Sequence, residues 1–179
     1  MDFEPITDDT REIEVREKSM RPMRRIDKQL PETVAEAILK SNDHGILSMV
    51  LPDGTPYGVP INYAYDHKEI IMHAALSGQK MEALAVNPSV CFTVVHSSSV
   101  DKANLSTNYS SVMAFGTVTI ILEPVQKHHY LLKLLAHYGI TEQMAEESLR
   151  VDSAQTAILV IKIDQLFAKG YPEFAPKIQ

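Results

Sequence analysis

The sequence predicts a mainly β protein, a small antiparallel barrel decorated by a few helices. Short segments rich in β-branched and aromatic residues recur along the chain and are separated by turn residues. The first three segments follow one another without a helix, whereas a doubly wound parallel sheet requires a helix after nearly every strand. Five or six such strands, joined early by tight hairpins, therefore favour a small barrel over a parallel sheet.

The composition is that of an ordinary globular domain. The chain has 179 residues, of which 45% are hydrophobic and 22% are charged. Its net charge of -6 argues against nucleic acid as a partner, because phosphate binding needs a basic surface. No apolar run approaches a membrane span and no signal-peptide pattern opens the sequence, so we expect a cytoplasmic protein without a membrane partner. A single cysteine, Cys91, excludes an internal disulfide and a cysteine-built metal site.

The N-terminal part of the chain divides into a tail and a helix. Residues 1–20 are polar and lack a clear period, which predicts a tail. Pro31 suits the first turn of a helix, and Val34, Ala37 and Ile38 give that helix an apolar stripe.

The predicted strands follow this helix. HGILSMVL and PYGVPINYAYD flank a turn at Pro52-Asp53-Gly54, since Asp-Gly supplies the positive φ that a hairpin needs. A second turn at residues 66–69 leads into a third strand, EIIMHA. A helix over about residues 79–86 ends before Pro88, which forbids its continuation. VCFTVV, SVMAFGTVTIIL and TAILVIKIDQLFA are the fourth, fifth and last strands.

The remaining segments complete the predicted domain. HSSSVDKANLSTNYSS, between the fourth and fifth strands, is polar and long for a connection, which predicts a functional or disordered loop. Glu123-Pro124 opens a helix that Gly139 stops, and a short helix follows to Leu149. We therefore expect a barrel domain over residues 21–168 and a C-terminal tail over residues 169–179.

The junction HAALSGQK, between the third strand and its helix, has the features of an anion site. A helix N-terminus offers unpaired N–H groups and a partial positive charge. Ser77 is placed to cap this helix, Gly78 to allow close approach, and Lys80 to add a full charge. The pattern suits a phosphate, while the structural alternative is a plain capped junction with a solvated lysine.

A few other side chains are candidates for chemistry or for packing. His73 ends an apolar strand, where it is either a hydrogen-bonded structural residue or a proton donor near neutral pH. Tyr63 and Tyr65 are expected to pack in the core or at an interface. His128 and His129 are neighbours on a helix and diverge by about 100°, so no metal site is predicted there.

Taken together, these segments resemble the pyridoxamine 5′-phosphate oxidase-like split-barrel flavoproteins. The resemblance covers about residues 20–165 and rests on MRRIDKQLP, HGILSMVLPDGTPYGVPINYAYD, IIMHAALSGQKMEALAVNPSVCFTVV and TNYSSVMAFGTVTII, in one order and with matching spacings. Within that family the chain is most similar to the nitroimidazole-resistance (nitroimidazole reductase) branch.

The resemblance implies a six-stranded antiparallel split barrel that binds flavin mononucleotide (FMN) at a homodimer interface. It makes Lys80 the phosphate ligand, with Ser77 and Gly78 alongside, and His73 the candidate catalytic residue beside the flavin. The other cofactor-binding residues that it implies are Val59, Pro60, Ile61 and Asn62, against the flavin ring, and Thr107, Asn108, Tyr109 and Ser111, which would close the site from the partner subunit.

The chain also departs from the pattern of true pyridoxamine phosphate oxidases. Their additional phosphate-binding arginines are absent, since the second strand reads GVPINYAYD and Gln79 precedes Lys80. Their C-terminal arginine and histidine motif is also missing, so vitamin B6 oxidation is not expected. The resemblance implies instead an FMN-dependent oxidoreductase that takes electrons from a reduced nicotinamide or another donor and reduces small, planar, electron-poor acceptors such as nitroimidazoles. A non-catalytic flavin- or haem-binding module and a deazaflavin-dependent reductase remain as alternatives.

Overall fold

The computed structural model describes residues 22–145 and 155–177. The predicted N-terminal tail and the end of the predicted short helix lie outside these residues. The described helices are α1 (Glu32–Lys40), α2 (Gln79–Val86) and α3 (Pro124–His137), with single 3-10 turns at Ile26–Lys28 and Pro172–Phe174. None of the described helices is long and apolar enough to cross a membrane. The strands are β1 (Gln29–Leu30), β2 (His44–Val50), β3 (Pro56–Asn62), β4 (Ala64–Asp66), β5 (Glu69–Ala75), β6 (Ser89–Asp101), β7 (Ser106–Ile121) and β8 (Thr156–Gly170).

One curled antiparallel sheet contains all eight strands, in the order β3-β2-β6-β7-β8-β5-β4, with β1 paired to β8. The edge strands β3 and β4 lie at opposite ends of this order, yet only Tyr63 separates them in sequence. The sheet must therefore curl until its two edges approach each other, which confirms the predicted split barrel. Tyr63 is fully buried at this crossing, and its hydroxyl donates to the carbonyl oxygen of Leu39 at 2.8 Å.

The sheet has eight strands rather than the six that were predicted. The predicted second strand divides at Tyr63 into β3 and β4, and the two-residue β1 adds a short pairing to β8. Both additions are too short to give a hydrophobic period of their own, so the sequence pattern could not separate them.

The polar segment after VCFTVV was wrongly predicted as a loop. β6 continues to Asp101 and β7 begins at Ser106, so only four residues form the turn. A register shift between Val95 and Ser97 marks where this ribbon leaves the body of the sheet. The backbone groups of this ribbon pair with each other although its side chains are polar. Because loops are also polar, the composition of the segment was mistaken for that of a loop. We call residues 97–110 the arm.

Apolar side chains form one core inside the barrel and a second cluster outside it. The inner core contains Leu47, Phe92 and Ile161 from the sheet and Ile38 from α1, all fully buried. Outside the barrel, Leu134 of α3 packs on side chains of β4, β5 and β8. The members of this outer cluster are Ala64, Ile71, Leu134, Ile158 and Val160.

The C-terminal segment is part of the fold. The predicted domain boundary at residue 168 falls inside β8, which continues to Gly170. Beyond it, the hydroxyls of Ser97 and Ser110 donate to the carbonyl oxygen of Phe174 at 2.8 and 2.7 Å. Gly170 has a φ of +148°, and a Cβ there would lie 2.1 Å from the carbonyl oxygen of Tyr109. Only glycine allows the chain to pass so close to the arm.

Candidate functional site

The C-terminal end of β5, beyond its pairing with β4, approaches the C-terminal end of β3. We call the gap between these two strands, where the barrel is not closed, the split. β4 pairs with β5 from Ala64 and Ile71 onward, and β5 continues to Ala75, beyond its pairing with β4. β3 and β5 are in contact, although no ladder joins them. The His73 side chain is exposed on the outer face of the sheet. His73 is therefore open to a ligand that enters the split.

The N-terminus of α2 follows this end of β5 and differs in one respect from the prediction. Gly78, not Ser77, is the N-cap residue, and no side chain of the described residues caps the helix. Gly78 has a φ of 112° and a ψ of 171°, a conformation that is essentially restricted to glycine. Ser77 lies one residue too early to cap the first turn, so that prediction was wrong. No atom lies within 4 Å of the position that a Cβ of Gly78 would occupy.

Lys80 lies in the first turn of α2 and is half-buried. Burial lowers the pKa of its ammonium group, and no carboxylate of the described residues acts on that pKa. Among the ion pairs of the described residues, none includes Lys80. A partly desolvated cation beside uncapped N–H groups favours an anion as its partner. This corner of the molecule therefore fits a phosphate group.

The open edge of β3 offers backbone groups to a ligand. Pro60 pairs with Ile46 of β2, and because proline has no N–H its backbone must face away from β2. The backbones of Gly58 and Asn62, two residues to either side, then face the open edge as well. Along this edge Gly58 and Asn62 each offer an N–H and a C=O group, whereas Pro60 offers only a C=O group. Such an edge suits the polar rim of a flat ring.

The side chains of the same strand alternate between two faces. Ile61 packs against the inner core and Val59 is half-buried, whereas Pro60 and Asn62 are exposed. Of the four predicted residues of β3, Pro60 and Asn62 therefore turn their backbone to the open edge and expose their side chains, whereas Val59 and Ile61 turn their backbone to β2.

Tyr138 is a site-supporting residue that sequence reasoning missed. Its hydroxyl donates to the carbonyl oxygen of Tyr63 at 2.9 Å and also hydrogen bonds with the side chain of Asn62. The neighbouring His137 is mostly buried, with its Nε2 3.3 Å from the carbonyl oxygen of Asn42. Tyr138 thereby ties the end of α3 to the end of β3. No sequence motif marks it, because the contact spans 75 residues and depends on how α3 docks.

The structure separates the predicted site residues into two groups. The split group consists of Val59–Asn62, His73, Ser77, Gly78 and Lys80. The arm group consists of Thr107, Asn108 and Tyr109 of the arm and of Ser111, which directly follows the arm, all on β7.

His73 of the split group and Ser111 of the arm group lie near opposite ends of β8. His73 pairs with Ile158, whereas Ser111 pairs with Lys169. The eleven-residue offset between these β8 partners corresponds to about 36 Å along the strand. One chain therefore keeps His73 far from the arm group along β8.

Other candidate groups show no catalytic arrangement. No group of three or more histidine, cysteine or acidic side chains with metal-binding geometry occurs among the residues that the structure describes. Cys91 is half-buried, and burial raises the pKa of its thiol, which disfavours the nucleophilic thiolate. His128 is exposed, with its Nε2 3.2 Å from the carboxylate of Glu142.

Comparison with known proteins identifies the family. The sequence model of the family described as pyridoxamine 5′-phosphate oxidase matches residues 31–169, which is most of the chain. The chain belongs to this family. The predicted relationship is therefore confirmed, and the matched range runs from the start of α1 almost to the end of β8. No curated protein matches the chain in sequence.

Solved structures similar to this member of the pyridoxamine 5′-phosphate oxidase family share its fold. A candidate 5-nitroimidazole antibiotic resistance protein from Bacteroides thetaiotaomicron is 22% identical, with a TM-score of 0.65 over 79% of this chain and 85% of that one. An FAD and heme binding protein from Mycobacterium smegmatis is 21% identical, with a TM-score of 0.65 over 84% and 77% of the two chains. An FAD-binding protein from Mesorhizobium loti is 21% identical, with a TM-score of 0.57 over 80% and 97%. At these identities the likeness is one of fold.

Proposed function

We propose that this chain is a flavoprotein that binds FMN and catalyses electron transfer to small, planar, electron-poor acceptors. The observation that carries the proposal is the half-buried Lys80, which has no ion pair with a carboxylate of the described residues and lies in the first turn of a helix that none of their side chains caps. The names of similar structures that bind FAD support a flavin as the ligand. Lys80 and the first-turn N–H groups of α2 would hold the phosphate, and the open edge of β3 would hold the ring.

A bound flavin would supply the two-electron chemistry that links a reduced nicotinamide to the acceptor. The protein's part is to orient the acceptor and to deliver protons. His73 is exposed at the split, where its imidazole can donate a proton to the acceptor. A nitro group that takes up two electrons and two protons becomes a nitroso group and releases water. The similar structure named as a candidate nitroimidazole resistance protein supports this class of acceptor.

We further propose that the working unit is a homodimer. In a two-fold symmetric dimer, each site can combine the split group of one copy with the arm group of the other. This arrangement gives a role to both groups, which the single chain keeps far apart.

The outer face of the sheet supports this dimer. The part of this face around Ile158 and Val160 is covered by α3, and we call it the covered half. The rest of the outer face is formed by β3, β2, β6, β7 and the C-terminal end of β8, and we call it the bare half. Neighbouring side chains across the bare half are Pro60, Ile46, Thr93, Met113 and Phe167. Ile46, Val95 and Met113 are 45%, 57% and 42% exposed, which leaves an apolar surface for a second copy.

Flavin retention tests the proposed site. The purified protein should be yellow or should take up added FMN, and Lys80→Ala should weaken FMN binding roughly ten- to a hundredfold through loss of a charged hydrogen bond. Lys162→Ala, which changes an exposed lysine of β8 outside both groups, is the matched control and should bind FMN normally. Calorimetric titrations with FMN, a deazaflavin and haem compare the three ligands directly. A colourless protein that binds none of the flavins would refute the proposal.

A non-catalytic binding module is the second candidate, favoured by the similar structure that binds both FAD and heme. Turnover separates the two functions. Under anaerobic conditions, the FMN-loaded protein should consume reduced nicotinamide in the presence of a nitroimidazole, and His73→Ala should slow this consumption without loss of flavin. Tight flavin or haem binding without turnover for a series of nitroaromatic acceptors would favour the module.

A further inference from the structure

We propose a second anion site, formed by Lys28, Lys169, Tyr109 and Tyr171, which binds the diphosphate of a nucleotide electron donor. We call these four residues the lysine–tyrosine cluster. The assignment to an electron donor rests on the proposed function, whereas the anion site itself does not.

Two antiparallel pairings bring the cluster together. β1 pairs with the end of β8, with Gln29 opposite Lys169, so Lys28 approaches the same strand end. The N–H of Tyr171 donates to the carbonyl oxygen of Tyr109 at 2.9 Å, which joins the C-terminal segment to the arm. The Nζ of Lys28 lies 3.4 Å from the ring centroid of Tyr171, and the Nζ of Lys169 lies 5.9 Å from that of Tyr109. The two rings are 6.2 Å apart and perpendicular to each other.

The cluster carries positive charge on a chain that is acidic overall. The chain has a net charge of -6, yet two ammonium groups and the guanidinium of Arg25 meet here. The nearby carboxylate of Asp27 is engaged by Arg25 at 2.6 and 2.7 Å. Hydrogen bonds with Lys28 and with Ser106 lower the pKa of the Tyr171 hydroxyl, as expected beside excess positive charge. Neither lysine has an ion pair with a carboxylate among the described residues.

The backbone around the cluster is held in place before any ligand arrives. Two serine hydroxyls of the arm hold the carbonyl oxygen of Phe174, and Gly170 permits the close passage beside Tyr109. The ring of Phe174 lies 6.3 Å from that of Tyr171. A preformed backbone reduces the entropy that a ligand must lose to bind.

The chemistry of the cluster favours a diphosphate. Two ammonium groups match a ligand with two or more negative charges, and neighbouring tyrosine rings offer flat surfaces to a nucleotide base or ribose. Reduced nicotinamide dinucleotides carry a diphosphate, and the proposed oxidoreductase needs such a donor. Tyr109 also belongs to the arm group, which the dimer proposal places over the flavin of the other copy. A donor held here would therefore lie beside the flavin that it reduces.

Calorimetric titration with inorganic pyrophosphate tests the anion site without any flavin chemistry. In a Lys80→Ala background, which removes the first anion site, pyrophosphate should still bind. Adding Lys28→Gln and Lys169→Gln should weaken this binding at least about tenfold, as expected for the loss of charged hydrogen bonds. Lys162→Gln, an exposed lysine on the same strand, is the matched control and should change nothing. Lys28→Arg keeps the charge and should retain binding.

Titration with NADPH tests the assignment to the electron donor. In the FMN-loaded protein, Lys28→Gln with Lys169→Gln should raise the dissociation constant for NADPH at least about tenfold, while FMN content stays at the wild-type level. Loss of FMN from this variant would assign the cluster to the cofactor and overturn the proposal. Unchanged pyrophosphate and NADPH binding, with only a lower melting temperature, would reduce the cluster to a structural contact.

The outcome also separates this inference from the proposed function. If the wild-type chain takes up no flavin but its pyrophosphate binding still depends on Lys28 and Lys169, the proposed function fails and the anion site stands.

Discussion

The two halves of the outer sheet face have the same apolar alternation but different partners. On the covered half, Ile71 and Ile158 are fully buried beneath Leu134 of α3. On the bare half, Ile46 and Met113 remain more than 40% exposed. Both halves belong to one continuous sheet, so the difference does not come from the strands themselves.

The comparison shows that, in the part of the chain that the structure describes, one helix covers one of two apolar surfaces. Burial of apolar area is the main favourable term in both folding and association, so the bare half has an unused capacity to associate. The same half lies beside Pro60 and Asn62 of the split group. A second copy placed there covers the surface and approaches the site at the same time, and the predictions below test each half separately.

The largest expected effect is on the covered half. Leu134→Ala removes the buried side chain with which α3 packs on the sheet, and should lower the free energy of unfolding by about 2–5 kcal/mol. Urea denaturation measures this loss. Leu132→Ala, a half-exposed leucine on the same helix, is the control and should cost less. Equal losses for both variants would contradict the division into a covered and a bare half.

A charge on the bare half should separate the two copies. Met113→Glu places a carboxylate at the centre of the row of apolar side chains, and should raise the dissociation constant of the dimer at least about tenfold. Light scattering coupled to gel filtration measures the molar mass across a dilution series. Val125→Glu changes an exposed valine on α3 and should leave the dimer intact. A wild-type chain that is monomeric at all concentrations would remove the role given to the bare half.

The smallest effect concerns the start of the covering helix. The Glu123 carboxylate caps α3 by accepting from the N–H groups of Val125 and Gln126, which lowers the pKa of Glu123. Its contribution to stability is therefore present above its ordinary pKa and is lost as the pH falls through the lowered value. Glu123→Gln should lower the melting temperature by a few °C at pH of about 7.

The pH dependence is the control for this cap. In acid, once the pH has fallen through the lowered pKa of Glu123, the wild-type carboxylate is protonated, so the two proteins should melt at more similar temperatures. A difference that stays constant between the two pH values would show that the charge of Glu123 does not act on α3.

Most of the fold could be predicted from the sequence because local patterns determine it. The three described helices begin and end close to the predicted residues, since Pro31, Pro88 and Glu123-Pro124 mark their limits chemically. The arm could not be predicted, because its ladder pairs polar residues whose alternation carries no hydrophobic signal. The crossing at Tyr63 depends on contacts between distant strands, which local patterns do not contain.

The candidate site was predictable only in part. Gly78 and Lys80 stand out because a glycine and a cation at a helix start have a direct physical meaning. The cap was wrongly assigned to Ser77 instead of Gly78, since the choice depends on one pair of backbone angles that the sequence does not show. Tyr138 was missed because its partners come from a distant part of the chain. The distance between the split group and the arm group also became visible only in the folded sheet.

Complementation between two inactive variants tests most directly the claim that each flavin site is built from two copies. Lys80→Ala and Tyr109→Ala should each lose FMN when pure, because each damages both sites of its own dimer. After unfolding and refolding of an equal mixture, about half of the dimers are mixed and each has one intact site, so about a quarter of the wild-type FMN content should return. No recovery of FMN from a mixture shown to contain mixed dimers would contradict the account.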